Sequence, residues 1–136
     1  MHKMVRLGIV LFLAAALAGM AFFEQHFIQG TYEKLETKNE ALIATLTYQI
    51  ENEIDIDTEE NITKISNMYY WWLKKERQLS MLARHFDLAQ VSDAIIYAKN
   101  FIAFNNDEET MAGLLRLRYL IKTHSFNIGT SVQNVI

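Results

Sequence analysis

Three histidines and the acids near them are the side chains of this chain best suited to chemistry. His26, His85 and His124, with Glu24 and Asp87 close to two of them in sequence, offer the imidazole and carboxylate donors that hold zinc or another divalent ion. The same set changes charge near neutral pH and so suits a proton sensor. The spacing that builds a metal site on a single helix is missing, since neither Glu-x-x-His nor His-Glu-x-x-His occurs. His85 and His124 also fall at the ends of predicted helices, where an imidazole can bond free carbonyls and gains from the helix dipole. A metal- or pH-sensing site made of His26, His85, Asp87 and His124 is therefore the alternative reading, and helix capping is the plainer one.

Other chemistries find less support. Asp55, Asp57 and Glu59 alternate as in a calcium loop, but Glu60 stands where the sharp turn needs glycine, and Ser66 stands where the bidentate glutamate belongs. The acids there read as a solvated helix cap. The chain has no cysteine, no Gly-x-Ser-x-Gly elbow, no phosphate-cradling glycine loop and no obvious pair of facing carboxylates. The expectation is a protein that is not an enzyme and needs no cofactor. The net charge of −3 also argues against binding nucleic acid through phosphates.

A surface for a partner is the better prospect. Tyr69, Tyr70, Trp71 and Trp72 are consecutive, and at about 100° per residue they sweep most of the way around a helix, so one buried stripe cannot hold all four. Most of these rings should be core, with one left on the surface. Lys74, Lys75 and Arg77 follow directly, while Arg116, Arg118 and Lys122 lie farther along. Tyr70, Trp71, Lys74, Lys75, Arg77 and Arg118 are the residues expected to meet a partner. The competing use of the basic groups is internal. Residues 24 to 60 hold ten acids against Lys34 and Lys38, whereas residues 61 to 136 hold nine basic residues against six acids. An acidic first helix can lie against a more basic remainder.

The elements that must position these residues are helical. Proline is absent and glycine scarce, which favours long uninterrupted helices. Leu35, Leu42, Leu46 and Ile50 mark one stripe of a helix from Thr31 to about Ile54, which either runs on directly from the apolar segment before it or bends at Gly30. Asp57 with Glu60 resembles a capping box that starts a second helix, from Thr58 to Arg84. Asp87 with Gln90 opens a third that runs to about Phe104, and Asn106 with Glu109 caps a fourth that ends at His124. Gly129 interrupts a short tail, residues 125–136. The expected fold is all-α, an antiparallel four-helix bundle-like domain with two long helices and one short helical hairpin.

Ahead of that domain, Leu7 to Phe23 reads LGIVLFLAAALAGMAFF without a charge. At about 1.5 Å per residue it covers roughly 26 Å, close to the hydrocarbon thickness of a bilayer. His2, Lys3 and Arg6 precede it and Glu24 closes it, so the positive-inside rule leaves the N-terminus cytosolic. The division is a cytosolic stub at 1–6, a transmembrane anchor at 7–23, an extracytoplasmic helical domain at 24–124 and the tail. Small residues at Ala16, Ala18, Gly19 and Ala21 also fit a cleaved signal peptide, but the apolar run continues past both sites. With the chain returning at each turn, the regions near 26, 85–87 and 124 should meet next to the membrane, and the turns near 55 and 106 should point away.

The segment YYWWLKKERQLSMLARHFD, with Trp72, His85 and Asp87, and the segment VSDAIIYAKNFIAFNNDEETMAGLLRLRYLIKTHS, with His124 near its end, resemble a family of uncharacterised bacterial single-pass proteins. That family is known as domain of unknown function 4363. The resemblance covers essentially the whole chain through packing patterns. Leu115 or Arg116 stands where the family's pattern suggests a glutamate, and the proline expected after the last histidine is absent. It implies a membrane-anchored helical domain outside the cell of a Gram-positive, often spore-forming bacterium, with a membrane-protein partner and no known activity. The expected function is a non-enzymatic interaction module that docks on another envelope protein or membrane component, with self-association left open.

Overall fold

A computed structural model describes residues 2–81 and 85–135, with side chains placed for 2–81 and 87–124. The described residues are helical throughout, apart from turns. Helix α1 spans His2–Glu51, α2 Glu59–Leu79, α3 His85–Ile102 and α4 Asp107–Val135. Helix α1 packs on α2 and α4, and α3 packs on the same two, while among the described residues α1 and α3 do not pack on each other.

Helix α1 is one unbroken rod of 50 residues. Gly30 does not bend it: the space around that glycine is open, and the backbone stays helical on both sides. Of the two courses open to the chain at Gly30 the continuous helix prevails, because one glycine costs a helix interior only about 1 kcal/mol. The first part of the rod buries nothing. Beyond Phe27 one stripe turns inward, at Ile28, Tyr32, Leu35, Asn39, Leu42 and Leu46. Its alternating steps of four and three match the seam by which one helix lies along others.

Helix α1 ends three residues before the expected boundary. Glu53 adopts a left-handed backbone, φ 56°, and its amide bonds the Ile50 carbonyl at 3.1 Å while the Ile54 amide reaches back to Gln49 at 2.7 Å. This paired closure is a Schellman motif with glutamate in place of the usual glycine. Asn105, φ 53°, closes α3 in the same way, through bonds from the Asn105 and Asn106 amides to Ile102 and Phe101. The two turns are tied to each other. Asn105 accepts from the Ile56 amide at 2.8 Å and donates to Asp55 at 3.0 Å.

The N-cap of α2 is Thr58, whose hydroxyl accepts from the Asn61 amide at 3.2 Å; Asp57 is one residue too early. Asn61 is itself buried and donates to Gln49 and to the Ile56 carbonyl, which fixes the turn between α1 and α2. Helix α2 stops at Leu79 with Ser80 as its cap, short of the expected Arg84, which lies outside the described residues. Helix α3 begins at His85, so Asp87 sits in its first turn and is not a cap. Asn106 does cap α4, accepting from the Glu109 amide at 3.1 Å. Helix α4 then continues past His124 to Val135, and Gly129 does not interrupt it.

The core runs along these contacts. Trp72 and Leu79 of α2, Leu88, Val91, Ile95 and Ile102 of α3, and Leu114, Leu117 and Ile121 of α4 are buried with the α1 stripe. Helices α3 and α4 are in close contact at Gly113, where an added Cβ would stand 2.9 Å from the Ala98 Cβ. No larger residue fits there without moving a helix.

Candidate functional site

Two places collect residues with chemical capacity, and both lie toward the end of the domain that adjoins the apolar segment. The first is a buried polar contact. Tyr32 on α1 and His124 on α4 meet hydroxyl to Nδ1 at 3.3 Å, and His124 Nε2 faces the Asp87 carboxylate of α3 at 3.9 Å. Trp72 closes the other side of Tyr32, ring centres 5.9 Å apart, and donates its indole N–H to Ser92 at 2.9 Å. Ser92 passes the chain on to Glu76 at 2.9 Å, so the inner face of α2 is bonded to α3 through the core's edge.

The burial of this cluster decides its protonation. Burial lowers the pKa of His124, with the nearby Asp87 charge opposing that shift. Burial, reinforced by Asp87, raises the pKa of Tyr32, so its hydroxyl keeps its proton. When Tyr32 donates to Nδ1, the ring proton of neutral His124 sits on Nε2 and points at Asp87. The arrangement is a proton-bearing polar plug between three helices.

Of the four residues expected to sense metal or pH, Asp87 and His124 are brought together. His26 is exposed, six residues from Tyr32 along α1, and stacks on Phe22. The side chain of His85 lies outside the described residues. Among the described residues no three His, Cys, Asp or Glu side chains gather as metal ligands. A concavity lined by Ala16, Gly19, Met20, Phe23 and Glu24 lies on the apolar segment of α1 and includes none of these groups.

The second place is the outer face of α2. Here the six residues expected to meet a partner separate into two groups. Trp71 is partly buried, with the Lys38 ammonium of α1 over its ring at 5.2 Å. Lys75 lies over Phe27 of α1 at 5.5 Å. Arg118 is turned onto α1, where its guanidinium grips Glu40 with two bonds at 2.7 and 2.8 Å. Those bonds hold the Glu40 carboxyl below the usual carboxylate range. Acidic α1 thus takes up basic groups of the remainder, as the charge distribution suggested. Tyr70, Lys74 and Arg77 remain on the surface. Their spacing, four then three, sets them on a single stripe of the helix.

Sequence reasoning passed over Tyr32, Ser92, Asn39 and Gly113. Asn39 is fully buried, donates to the Leu114 carbonyl at 3.0 Å and leaves its own Oδ1 without a donor among the described residues. Its signal was present, since Tyr32 and Asn39 fall on the same alternating spacing as the leucines. Nothing local marks Ser92 or Gly113. No protein family, curated protein or solved structure matches this chain.

Proposed function

We propose that this chain is a membrane-anchored, non-enzymatic helical module that docks on another envelope protein or membrane component. On this reading Leu7 to Phe23 crosses the membrane with the N-terminus cytosolic, and the packed helices form an extracytoplasmic four-helix bundle. Membership of the bacterial single-pass family that the sequence resembles belongs to the same proposal.

One observation carries it. The aromatic and basic residues of α2 are not all used in holding the fold: Trp71 and Lys75 are engaged by α1, and Tyr70, Lys74 and Arg77 remain as an exposed line. Tyrosine and arginine are enriched at the centres of interfaces, and a lysine suits the polar rim. The test is a photo-crosslinking residue in place of Tyr70 in the full-length chain, irradiated in native membranes, with and without Lys74→Glu and Arg77→Glu. One discrete adduct that the charge reversals abolish is the expected result. An adduct indifferent to them, or none, would sink this surface.

A second reading, a pH-sensing domain, is favoured by the contact of Tyr32, His124 and Asp87 across three helices.

A further inference from the structure

We infer that Lys74 and Arg77 on the outer stripe of α2 below Tyr70, with Met81 in the turn that follows, form a docking surface for anionic phospholipid headgroups of the membrane that holds α1. This inference rests on the anchor reading above and names the membrane component.

The geometry comes from the pairing of α1 with α2. Trp72 stacks near Tyr32, ring centres 5.9 Å apart, and Lys75 lies over Phe27 at 5.5 Å. The two helices therefore run in opposite directions, and each residue gained along α2 is one lost along α1. Nine residues beyond Trp72, Met81 comes level with Phe23, the last residue of the apolar run. The turn after α2 is thus set at the height where the hydrocarbon of a bilayer around α1 ends. Helix α4 reaches the same height. His124 meets Tyr32 at 3.3 Å, so Val135, eleven residues on, is level with Ala21, and residues 125–135 contain no charged side chain.

The stripe has the composition of an interfacial contact. Tyr70, Lys74 and Arg77 recur at steps of four and three, which is one line down α2, and Met81 stands in the turn two residues past its end. Tyr70 is 57% exposed and Met81 89% exposed, an unusual state for a methionine. Among the described residues Lys74 and Arg77 belong to no ion pair. The one acid in this part of α2, Glu76, is bonded inward to Ser92. Two cations above an exposed apolar tip, at the height of the headgroups, match phosphate outside and acyl chain below. A protein partner would not require the apolar tip to fall at that height.

The absence of cysteine makes the test clean. The full-length chain carrying Met81→Cys, labelled with an environment-sensitive fluorophore, is placed in nanodiscs of phosphatidylcholine alone or of equal parts phosphatidylcholine and phosphatidylglycerol. Each disc also holds a lipid spin-labelled at the headgroup. We expect the label to be quenched more strongly with phosphatidylglycerol, and Lys74→Glu with Arg77→Glu to return it to the level of neutral discs. A label reached by aqueous iodide and not by the spin-labelled lipid overturns the inference, as does quenching that ignores lipid charge. A second label at Val10→Cys, read with a deep spin-labelled lipid, separates the two failures. Quenching at Val10 without quenching at Met81 leaves the anchor standing and removes the headgroup site; no quenching at Val10 removes both.

Discussion

The two halves of α1 share one continuous backbone helix and present opposite surfaces. From Leu7 to Phe23 the side chains are apolar on every side and none is buried in the protein. From Ile28 to Leu46 the apolar residues keep to one stripe, and that stripe is covered by α2 and α4. Total hydrophobicity does not distinguish a helix made for a bundle from one made for lipid. Angular distribution does, because a helix apolar all round must find an apolar solvent on all sides. The junction lies between Phe23 and Ile28, and Gly30 just beyond it leaves the rod straight.

The same substitution at two leucines should break the two halves separately. Leu35→Arg places an unpaired guanidinium at a position with no exposure, and removal of a buried charge's partner is typically worth about 3–5 kcal/mol. The helical domain should unfold or lose most of its stability, measured by urea titration in detergent, while the chain stays with the membrane fraction. Leu13→Arg should do the reverse. An arginine near the middle of a span costs about 2.5–3.5 kcal/mol of insertion, so membrane retention falls and the domain's unfolding midpoint does not move. If Leu13→Arg instead lowered that midpoint, the apolar half would be a buried core helix of an assembly and the contrast would fail.

A smaller change tests how the second half is covered. Gly113→Ala adds one methyl where the Ala98 Cβ is 2.9 Å away, and overpacking of this kind costs about 1–3 kcal/mol. The loss should appear in the unfolding midpoint of the domain and leave membrane retention unchanged. Adding Ala98→Gly removes the opposing methyl and should recover part of the loss, a coupling that two independent helix-propensity effects would not show.

The number of helices, the stripe of α1 and the Asn106 cap were legible in the sequence because each depends on residues within a turn or two of one another. What depends on register between helices was not. Tyr32 reads as an ordinary aromatic until α4 brings His124 to it, and His124 reads as a helix end until α4 is seen to continue to Val135. Arg118 lies in the same basic region as Arg116 and Lys122, and only the α1–α4 pairing assigns it to Glu40. Asn39 looked like part of the polar face, although its spacing matched the buried stripe. A buried asparagine at such a position favours one alignment of two helices over its neighbours, since any shift would leave both the amide and the Leu114 carbonyl without each other. Glu53 was illegible for a different reason: a left-handed cap is normally announced by glycine, and here the backbone adopts it with a side chain attached.

The finest test concerns the one buried titratable contact among three helices, and its sign follows from which force prevails at His124. Burial favours the neutral ring and lowers its pKa, whereas the Asp87 carboxylate at 3.9 Å favours the charged one; burial prevails. An unfolded chain takes up that proton near pH 6.5, the ordinary value for histidine. The folded domain takes it up only at lower pH, so its stability should be complete above that value and decline as pH falls from about 7.5 toward 5.5. Unfolding midpoints of the full-length chain measured across the window should therefore slope downward toward acid, and His124→Phe should flatten the slope while Asp87→Asn steepens it. A rise in stability toward acid, abolished by Asp87→Asn, would mean that the carboxylate outweighs burial. The end of the packed half nearest the apolar segment would then tighten on acidification instead of loosening. The apolar half, with no titratable side chain from Leu7 to Phe23, should show no change in membrane retention over the same range.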